Sequence, residues 1–279
     1  MLRLENVSKR FDGFYLDNIS FELKEGFIMG LIGPNGSGKT TLIKIIMNLL
    51  NQDEGNIYFM GENVKNNPMR FKENIGFVYD NLYFYENLNV SDFEKIIASF
   101  YKNFDNKKFK EYLDKFQISK KTKIKNLSKG QSIKLMLAKA LSHSAKLLIL
   151  DEPTSGLDPI FRKDMIKLIQ EELESGDKSA IFSTHITQDL EHMADYITFI
   201  NKGKLVFSES KEFIDENYKI IRGSKEMLDN TNIDFIKRKD ERYFSEGIFI
   251  ESGYKNSDNI SKATLEDILY YMGGETIND

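Results

Sequence analysis

Cysteine is absent from this 279-residue chain, and histidine occurs only three times. The lack of cysteine excludes disulfides, thiolate metal sites and cysteine nucleophiles. Three scattered histidines also argue against a histidine-based metal cluster. No apolar run approaches the ~18 residues that a membrane-spanning helix needs, and an early carboxylate, Glu5, interrupts any signal-peptide core. We therefore expect a soluble, cytoplasmic chain that reaches a membrane only through a partner.

An excess of basic charge is also lacking. The chain has 43 acidic and 39 basic residues, which gives a net charge of −4. Proteins that mainly bind nucleic acid usually carry a basic excess, so we expect no nucleic-acid partner. Hydrophobic residues make up 41% of the chain, which is enough for a packed core. The length fits one large domain or two unequal ones.

The order of predicted strands and helices indicates an α/β fold. Alternating apolar and polar residues at 2–7 and 19–23 predict half-buried, antiparallel N-terminal strands. An apolar run at 27–32, a glycine-rich turn and a helical pattern over 41–50 resemble the front of a βαβ unit. Further strands are predicted at 75–78, 147–150, 180–183 and 196–200, with a helical insert at about 88–140. Residues 1–212 form the predicted main domain, and residues 213–279 a small α/β accessory region.

The glycine-rich turn fits the phosphate-binding pattern G-x-x-x-x-G-K-[ST]. Its residues are Gly33, Pro34, Asn35, Gly36, Ser37, Gly38, Lys39 and Thr40, and Thr41 follows. The glycines allow successive backbone N–H groups to converge on phosphates, and the helix N-terminus adds partial positive charge. In this pattern Lys39 neutralises the β- and γ-phosphates and the Thr40 hydroxyl holds Mg²⁺. The alternative, a turn that merely caps a helix, is disfavoured by the strand before it and the helix after it.

Two carboxylates follow the apolar strand at 147–150. Asp151 is placed to contact Mg²⁺ through its water shell, and Glu152 to act as general base on the attacking water. An acidic pair after a strand can also be a solvated turn. The phosphate loop upstream favours the catalytic interpretation.

Ordered motifs beyond these two sites resemble the ATP-binding subunits of ABC transporters. The motifs are Leu127-Ser128-Lys129-Gly130-Gln131, similar to the family's LSGGQ signature except at Lys129; Ser155-Gly156-Leu157-Asp158, similar to its D-loop; Ser183-Thr184-His185, similar to its switch loop; and Phe11, in the place of its adenine-stacking aromatic residue. Phe14 and Tyr15 are alternative stacking residues. The resemblance covers about residues 2–210.

The resemblance implies a P-loop NTPase (RecA-like) core and two ATP molecules at the interface of a head-to-tail dimer, either homo- or heterodimeric. Each ATP and its Mg²⁺ would lie on one subunit's phosphate loop, closed by Ser128, Gly130 and Gln131 of the other, with Asp158 nearby. His185 would contact the γ-phosphate. The helical insert resembles the subdomain that receives a transmembrane permease subunit, which would hold the chain at the inner face of the cell membrane.

Export is the transport direction that the resemblance favours. The pattern at 263–272, with Thr264 as its cap, resembles the C-terminal helix of bacterial drug and antimicrobial-peptide exporter ATPases. Two alternatives are a soluble ABC-type ATPase that acts on ribosomes or DNA and an unrelated phosphoryl-transfer enzyme. The single uninterrupted cassette and acidic balance disfavour the first, and the signature motif disfavours the second.

One position departs from the family pattern. Asp80 stands after the strand at 75–78 where the family usually has a glutamine that touches the metal site and the coupling surface. We expect Asp80 to contribute to the nucleotide and metal site when the dimer closes; the alternative is a turn residue.

The aromatic residues of the insert divide into two groups. Those at helical spacing (Phe93, Phe100, Tyr101, Phe104, Phe109 and Tyr112) are interpreted mostly as core. The run Tyr83-Phe84-Tyr85 is harder to bury and is a better candidate for a partner groove.

Overall fold

The computed structural model describes residues 1–79, 85–251 and 259–274. Asp80, Tyr83 and Phe84 lie outside the described residues. The strands are β1 (Leu2–Phe11), β2 (Phe14–Leu23), β3 (Ile28–Ile32), β4 (Glu54–Phe59), β5 (Glu62–Asn63), β6 (Ile75–Val78), β7 (Leu147–Asp151), β8 (Ser179–Thr184), β9 (Tyr196–Asn201), β10 (Lys204–Ser210), β11 (Tyr218–Gly223), β12 (Phe235–Asp240), β13 (Ser245–Ile250) and β14 (Ile260–Lys262). The helices are α1 (Lys39–Ile46), α2 (Pro68–Glu73), α3 (Val90–Phe100), α4 (Asn106–Lys115), α5 (Lys129–Leu141), α6 (Pro159–Leu173), α7 (Lys211–Asn217), α8 (Lys225–Asp229) and α9 (Leu265–Gly273).

A ten-stranded sheet with the order β5-β4-β1-β2-β10-β9-β3-β8-β7-β6 forms the centre of the molecule. Strands β9, β3, β8, β7 and β6 run parallel, whereas β1 pairs antiparallel with β2 and β4. Nearly all residues of the parallel strands are buried, because helices pack on both faces of this part of the sheet. The predicted α/β fold with antiparallel N-terminal strands is confirmed.

The parallel strands β3, β7 and β8 bring three predicted motifs to one edge of the sheet. The phosphate loop leaves the carboxyl end of β3, the acidic pair lies at the end of β7, and the switch histidine follows β8. Carboxyl ends of adjacent parallel strands meet at the same edge, which is where open α/β sheets bind ligands.

Helix α1 is shorter than the pattern over 41–50 predicts. It begins at Lys39, directly from the phosphate loop, and ends at Ile46. Asn48 adopts a left-handed conformation (φ 54°), which asparagine tolerates better than most residues and which stops the helix.

The helical insert consists of α3, α4 and α5, packed on the parallel part of the sheet. Of its aromatic residues, Phe93, Phe109 and Tyr112 are buried, and Tyr101 and Phe104 pack against the same core. The core interpretation fails for Phe100, which is 69% exposed because it ends α3 on the solvent side.

The C-terminal part contains a second, four-stranded sheet with the order β12-β13-β11-β14. Helix α9 lies against it and buries Leu265, Ile268 and Tyr271. Thr264 caps the helix as expected: its side chain accepts a hydrogen bond from the N–H of Asp267, whose carboxylate accepts one in return from the N–H of Thr264. Among the helices of the described ranges, none combines the length and the apolar character needed to span a membrane.

Candidate nucleotide-binding site

The phosphate loop is shaped by glycines that no larger residue can replace. At Gly33 a β-carbon would lie 2.1 Å from the carbonyl oxygen of Ile200. Gly38 has a φ of +111°, and a β-carbon there would come within 2.9 Å of the ring of Phe14. Both positions require glycine because the backbone curves tightly here, and this curvature allows the loop to surround a bound group.

Lys39 is buried at the first turn of α1. Its Nζ donates hydrogen bonds to the carbonyl oxygens of Gly33 (2.8 Å) and Pro34 (3.3 Å), and lies 3.8 Å from Oε1 of Glu152. Burial lowers the pKa of Lys39, and the carboxylates of Glu152 and Asp151 offset part of that shift. The amine is thus held inside the loop, with two carboxylates to neutralise it.

The two carboxylates after β7 have different environments. Asp151 is buried, and its Oδ1 accepts a hydrogen bond from the hydroxyl of Ser183 at 2.6 Å. Glu152 is half-buried and adopts a left-handed conformation with φ 48°, which is unusual for glutamate. A backbone outlier at this position indicates that the surrounding structure holds the Glu152 side chain toward the phosphate loop.

His185 completes a chain of side chains that crosses the site. Its Nδ1 lies 2.7 Å from Oε2 of Glu152, whose other oxygen faces Lys39. Lys39 at the start of α1, Glu152 after β7 and His185 after β8 therefore lie side by side.

A cavity of about 420 Å³ opens between these groups. Its lining residues are Phe14, Asn35, Gly36, Ser37, Gly38, Lys39, Thr40, Thr41, Lys129, Glu152, Ser155 and His185. The volume suits a small charged ligand. The Ser37 hydroxyl is buried and makes no hydrogen bond within the described residues, so the loop holds an unsatisfied polar atom.

Lys129 of the signature motif and Ser155 of the D-loop motif line the cavity, whereas other residues of the two motifs lie outside it. Ser128 and Gln131 form a capping box at the start of α5: the Ser128 hydroxyl accepts from the Gln131 N–H, and the Gln131 side chain accepts from the Ser128 N–H. Asp158 caps α6 by accepting hydrogen bonds from two backbone N–H groups. Within the described residues, Ser128, Gly130, Gln131 and Asp158 do not line the chain's own cavity.

The aromatic residues predicted as candidates for adenine stacking lie at different places relative to the cavity. Phe14 lines the cavity, whereas Phe11 is 42% exposed and lies outside it, with its ring 6.2 Å from that of Phe14. Asp80 lies outside the described residues, so its expected contribution to the metal site stays a prediction.

Sequence reasoning missed a buried network behind the site. The carboxylate of Asp189 accepts a hydrogen bond from the Thr154 hydroxyl (2.7 Å) and pairs with the guanidinium of Arg162. This network links the segment after Glu152 to the segment after His185. The only signal in the sequence is an aspartate four residues after the histidine, which is too common to be recognised.

The donor set fits a magnesium–nucleotide complex. Mg²⁺ prefers oxygen ligands, and the Thr40 hydroxyl and the Asp151 carboxylate are oxygen donors at the end of adjacent elements. The unsatisfied Ser37 hydroxyl and the glycine-lined loop fit a phosphate chain.

Comparisons with known proteins agree with this geometry. The family model described as ABC transporter matches residues 16–155. The uncharacterized ABC transporter ATP-binding protein YdbJ of Bacillus subtilis (strain 168) is 34% identical over 219 residues, which cover 77% of this chain and 71% of that protein. The lantibiotic transport ATP-binding protein SrtF of Streptococcus pyogenes is 33% identical over 212 residues, which cover 75% of this chain and 90% of SrtF.

A solved structure supports the fold. An ATP-binding subunit of an ABC transporter superposes with a TM-score of 0.70 at 24% identity, covering 77% of this chain and 91% of that chain. The phosphate loop, the acidic strand end and the matched family model lead to one conclusion: the chain belongs to the ABC transporter family, as an ATP-binding ATPase subunit.

Proposed function

We propose that this chain hydrolyses Mg²⁺–ATP in the 420 Å³ cavity and uses the energy to drive export through a separate membrane subunit. The observation that carries the proposal is the convergence of Lys39, Glu152 and His185 on one glycine-lined cavity. Residues 33–41 would hold the phosphates, with Thr40 and Asp151 serving Mg²⁺. Bound Mg²⁺ would supply charge neutralisation at the β- and γ-phosphates.

The chain's own side chains perform distinct tasks in this proposal. Lys39 exchanges its hydrogen bonds to loop carbonyls for phosphate oxygens, which are stronger, charged acceptors. Glu152 accepts the proton of the attacking water, and its half-burial beside His185 limits the number of orientations that the carboxylate can adopt. His185 holds Glu152 and would contact the γ-phosphate.

A second ATPase subunit, identical or different, would complete each site. Ser128 is exposed and Gly130 and Gln131 are half-buried at the N-terminus of α5, and none of the three lines the chain's own cavity. Such a terminus attracts anions, and the neighbouring D-loop residue Asp158 is also exposed. These residues are thus available to close the partner's nucleotide in a head-to-tail dimer.

The helical insert is the proposed contact with the membrane subunit. Phe100 and Ile96 of α3 are exposed, and Tyr85, which precedes the insert, is 82% exposed, so large apolar side chains face solvent on and beside this subdomain. Similarity to a lantibiotic transport protein supports export of an antimicrobial compound. The chain would then lie at the cytoplasmic face of the membrane, attached through its partner, with residues 1–212 as the ATPase domain and 213–279 as an accessory region.

The test is co-fractionation with a candidate permease. Tagged Glu152→Gln protein is co-expressed with a candidate polytopic permease, and membranes are extracted after incubation with Mg²⁺–ATP. We expect the tagged chain in the membrane fraction only when the permease is present. Recovery with ribosomes, or in the soluble fraction in both cases, would contradict the proposal.

A further inference from the structure

A cavity of about 750 Å³ separates the ATPase part from the accessory sheet. On one side it is lined by Pro34 of the phosphate loop and by the switch-loop segment from His185 to Gln188. On the other side it is lined by edge strand β12 and by helix α9. Its volume is in the range that binds small organic molecules, and such sites favour junctions between domains.

Helix α9 connects this cavity to the nucleotide site. Its first N–H, at Leu265, donates to the carboxylate of Glu191, and Asn201 donates to the carbonyl of Met272 near its end. A β-carbon at Gly273 would lie 3.5 Å from the side chain of Pro34. The helix therefore contacts the phosphate loop and the segment after His185, and an occupant of the cavity would touch the same groups.

Some charged side chains that line the cavity are paired with an opposite charge, and others are not. Arg238 is paired with Asp229 (2.7 Å) and Asp240 (2.8 Å), and Lys239 with Glu241 (2.6 Å). Lys237 is different: across the described ranges its amine has no carboxylate within 4 Å and contacts only the carbonyl of Gly274, at 3.3 Å.

The position of Lys237 indicates that a ligand of this cavity carries a negative charge. Lys237 is half-buried, so water screens its charge incompletely, whereas the one other uncommitted charge among the described lining residues, Glu266, is exposed and well solvated. The apolar wall is formed by Pro34, Ile186 and Leu269. A half-buried cation beside an apolar wall is complementary to an anion with an apolar body.

We propose that this cavity binds a small amphipathic anion, with its acidic group on Lys237 and its apolar body between α9 and the switch loop. The binding does not depend on the catalytic roles assigned to Glu152 and His185. Failure of the probe to bind would therefore leave the proposed ATPase function intact. Failure of the ATPase proposal would likewise leave this binding site intact.

The probe is 8-anilinonaphthalene-1-sulfonate, which joins apolar rings to one anionic group and fluoresces on binding. The full chain is titrated in the presence of saturating Mg²⁺ and a non-hydrolysable ATP analogue, so that the nucleotide site is filled. We expect one saturable site. Decanoate should displace the probe, whereas decyltrimethylammonium, with the same chain length and the opposite charge, should not.

Three variants locate the site. Lys237→Gln should weaken probe binding about tenfold, because a charged hydrogen bond to the ligand is lost. Lys262→Gln, which removes an exposed lysine of the same sheet outside the cavity, should bind as the wild type does. Glu266→Gln should tighten binding about twofold, since it removes a repelling carboxylate. Equal affinity of Lys237→Gln and wild type, displacement by both detergents, or loss of binding when nucleotide is added would overturn the proposal.

Discussion

At the scale of single residues, Lys39 occupies the most constrained position in the site. Its amine is buried among loop carbonyls and faces the carboxylate of Glu152. A buried cation is stable only with such partners, and a bound triphosphate supplies better ones. The arrangement leads to two predictions about these residues.

Lys39→Ala should lower ATP affinity by about 100-fold or more, because its charged hydrogen bonds to the phosphates disappear. Lys129, the other lysine that lines the cavity, belongs to α5 and not to the phosphate loop. Binding is measured with a fluorescent ATP analogue. Lys44→Ala is the matched control, since Lys44 lies on the same helix but is exposed. Wild-type affinity in Lys39→Ala would refute the assignment of the phosphate loop.

Glu152→Gln should retain ATP binding and lose at least about 100-fold in hydrolysis rate, because an amide cannot accept the proton of water. Steady-state phosphate release gives the rate, and the analogue titration gives the affinity. A rate within threefold of the wild type would mean that another group is the base.

The burial of Lys139 predicts that the stability of the fold depends on pH. Burial in α5 lowers its pKa to about 8. The unfolded chain, with an ordinary lysine pKa of 10.5, therefore binds more protons between pH 8 and 10.5, so stability rises with pH in that window. The cost of charging Lys139 in the fold is fully present at neutral pH, below the folded pKa, and disappears above the unfolded one.

Urea unfolding of wild type and Lys139→Met, followed from pH 7 to 10, checks this. Relative to the variant, the wild type should gain about 2 kcal/mol across the range, as expected from a shift of this size. Lys125→Met replaces an exposed lysine and should show no such difference. Parallel curves for wild type and Lys139→Met would contradict the prediction.

Residue patterns predicted some parts of the site better than others. Gly33 and Lys39 could be placed because they belong to a glycine-rich loop between an apolar strand and a helix. Asp151 and Glu152 could be placed because they stand at the end of an apolar strand. Contacts of Phe14 and Lys129 with the cavity could not, because they depend on how separate segments pack together.

At the scale of elements, the sequence pattern predicted the strands that carry the site, and tertiary packing decided the rest. Strands β3 and β7 are short apolar runs bounded by glycine or charge, and β8 has a short apolar centre at 180–182, which is a strong local signal. Strand β12 was not predicted because its sequence is mostly polar and charged. It forms an edge strand by pairing with β13, which the local sequence does not reveal. The phosphate-loop helix ended early because of the backbone of Asn48.

The exposed side chains of α3 carry a prediction about partner binding. Phe100→Asp should reduce recovery of the chain with its permease by about tenfold, because a charge replaces an apolar contact, and should leave ATP affinity unchanged. Tyr243→Asp is the matched control, as Tyr243 is 84% exposed on the accessory region. Quantitative blotting of the membrane fraction gives the result. An equal loss in both variants would place the contact elsewhere.

At the scale of the whole molecule, only some of the residues in the predicted motifs line the chain's own nucleotide cavity. Lys39, Glu152 and His185 meet in one chain, whereas Ser128 and Gly130 lie outside the cavity. In the proposed dimer, these remaining residues act on the nucleotide of a second subunit. An interface of this head-to-tail kind makes each site composite.

Mixing two inactive variants tests this claim most directly. A Lys39→Ala subunit paired with a Ser128→Arg subunit has one site with both defects and one intact site. If subunits exchange freely and sites act independently, the equimolar mixture should recover about a quarter of wild-type ATPase activity, while each variant alone remains inactive. A mixture that stays inactive, although cross-linking shows heterodimers, would mean that the signature helix serves its own subunit and would contradict the account.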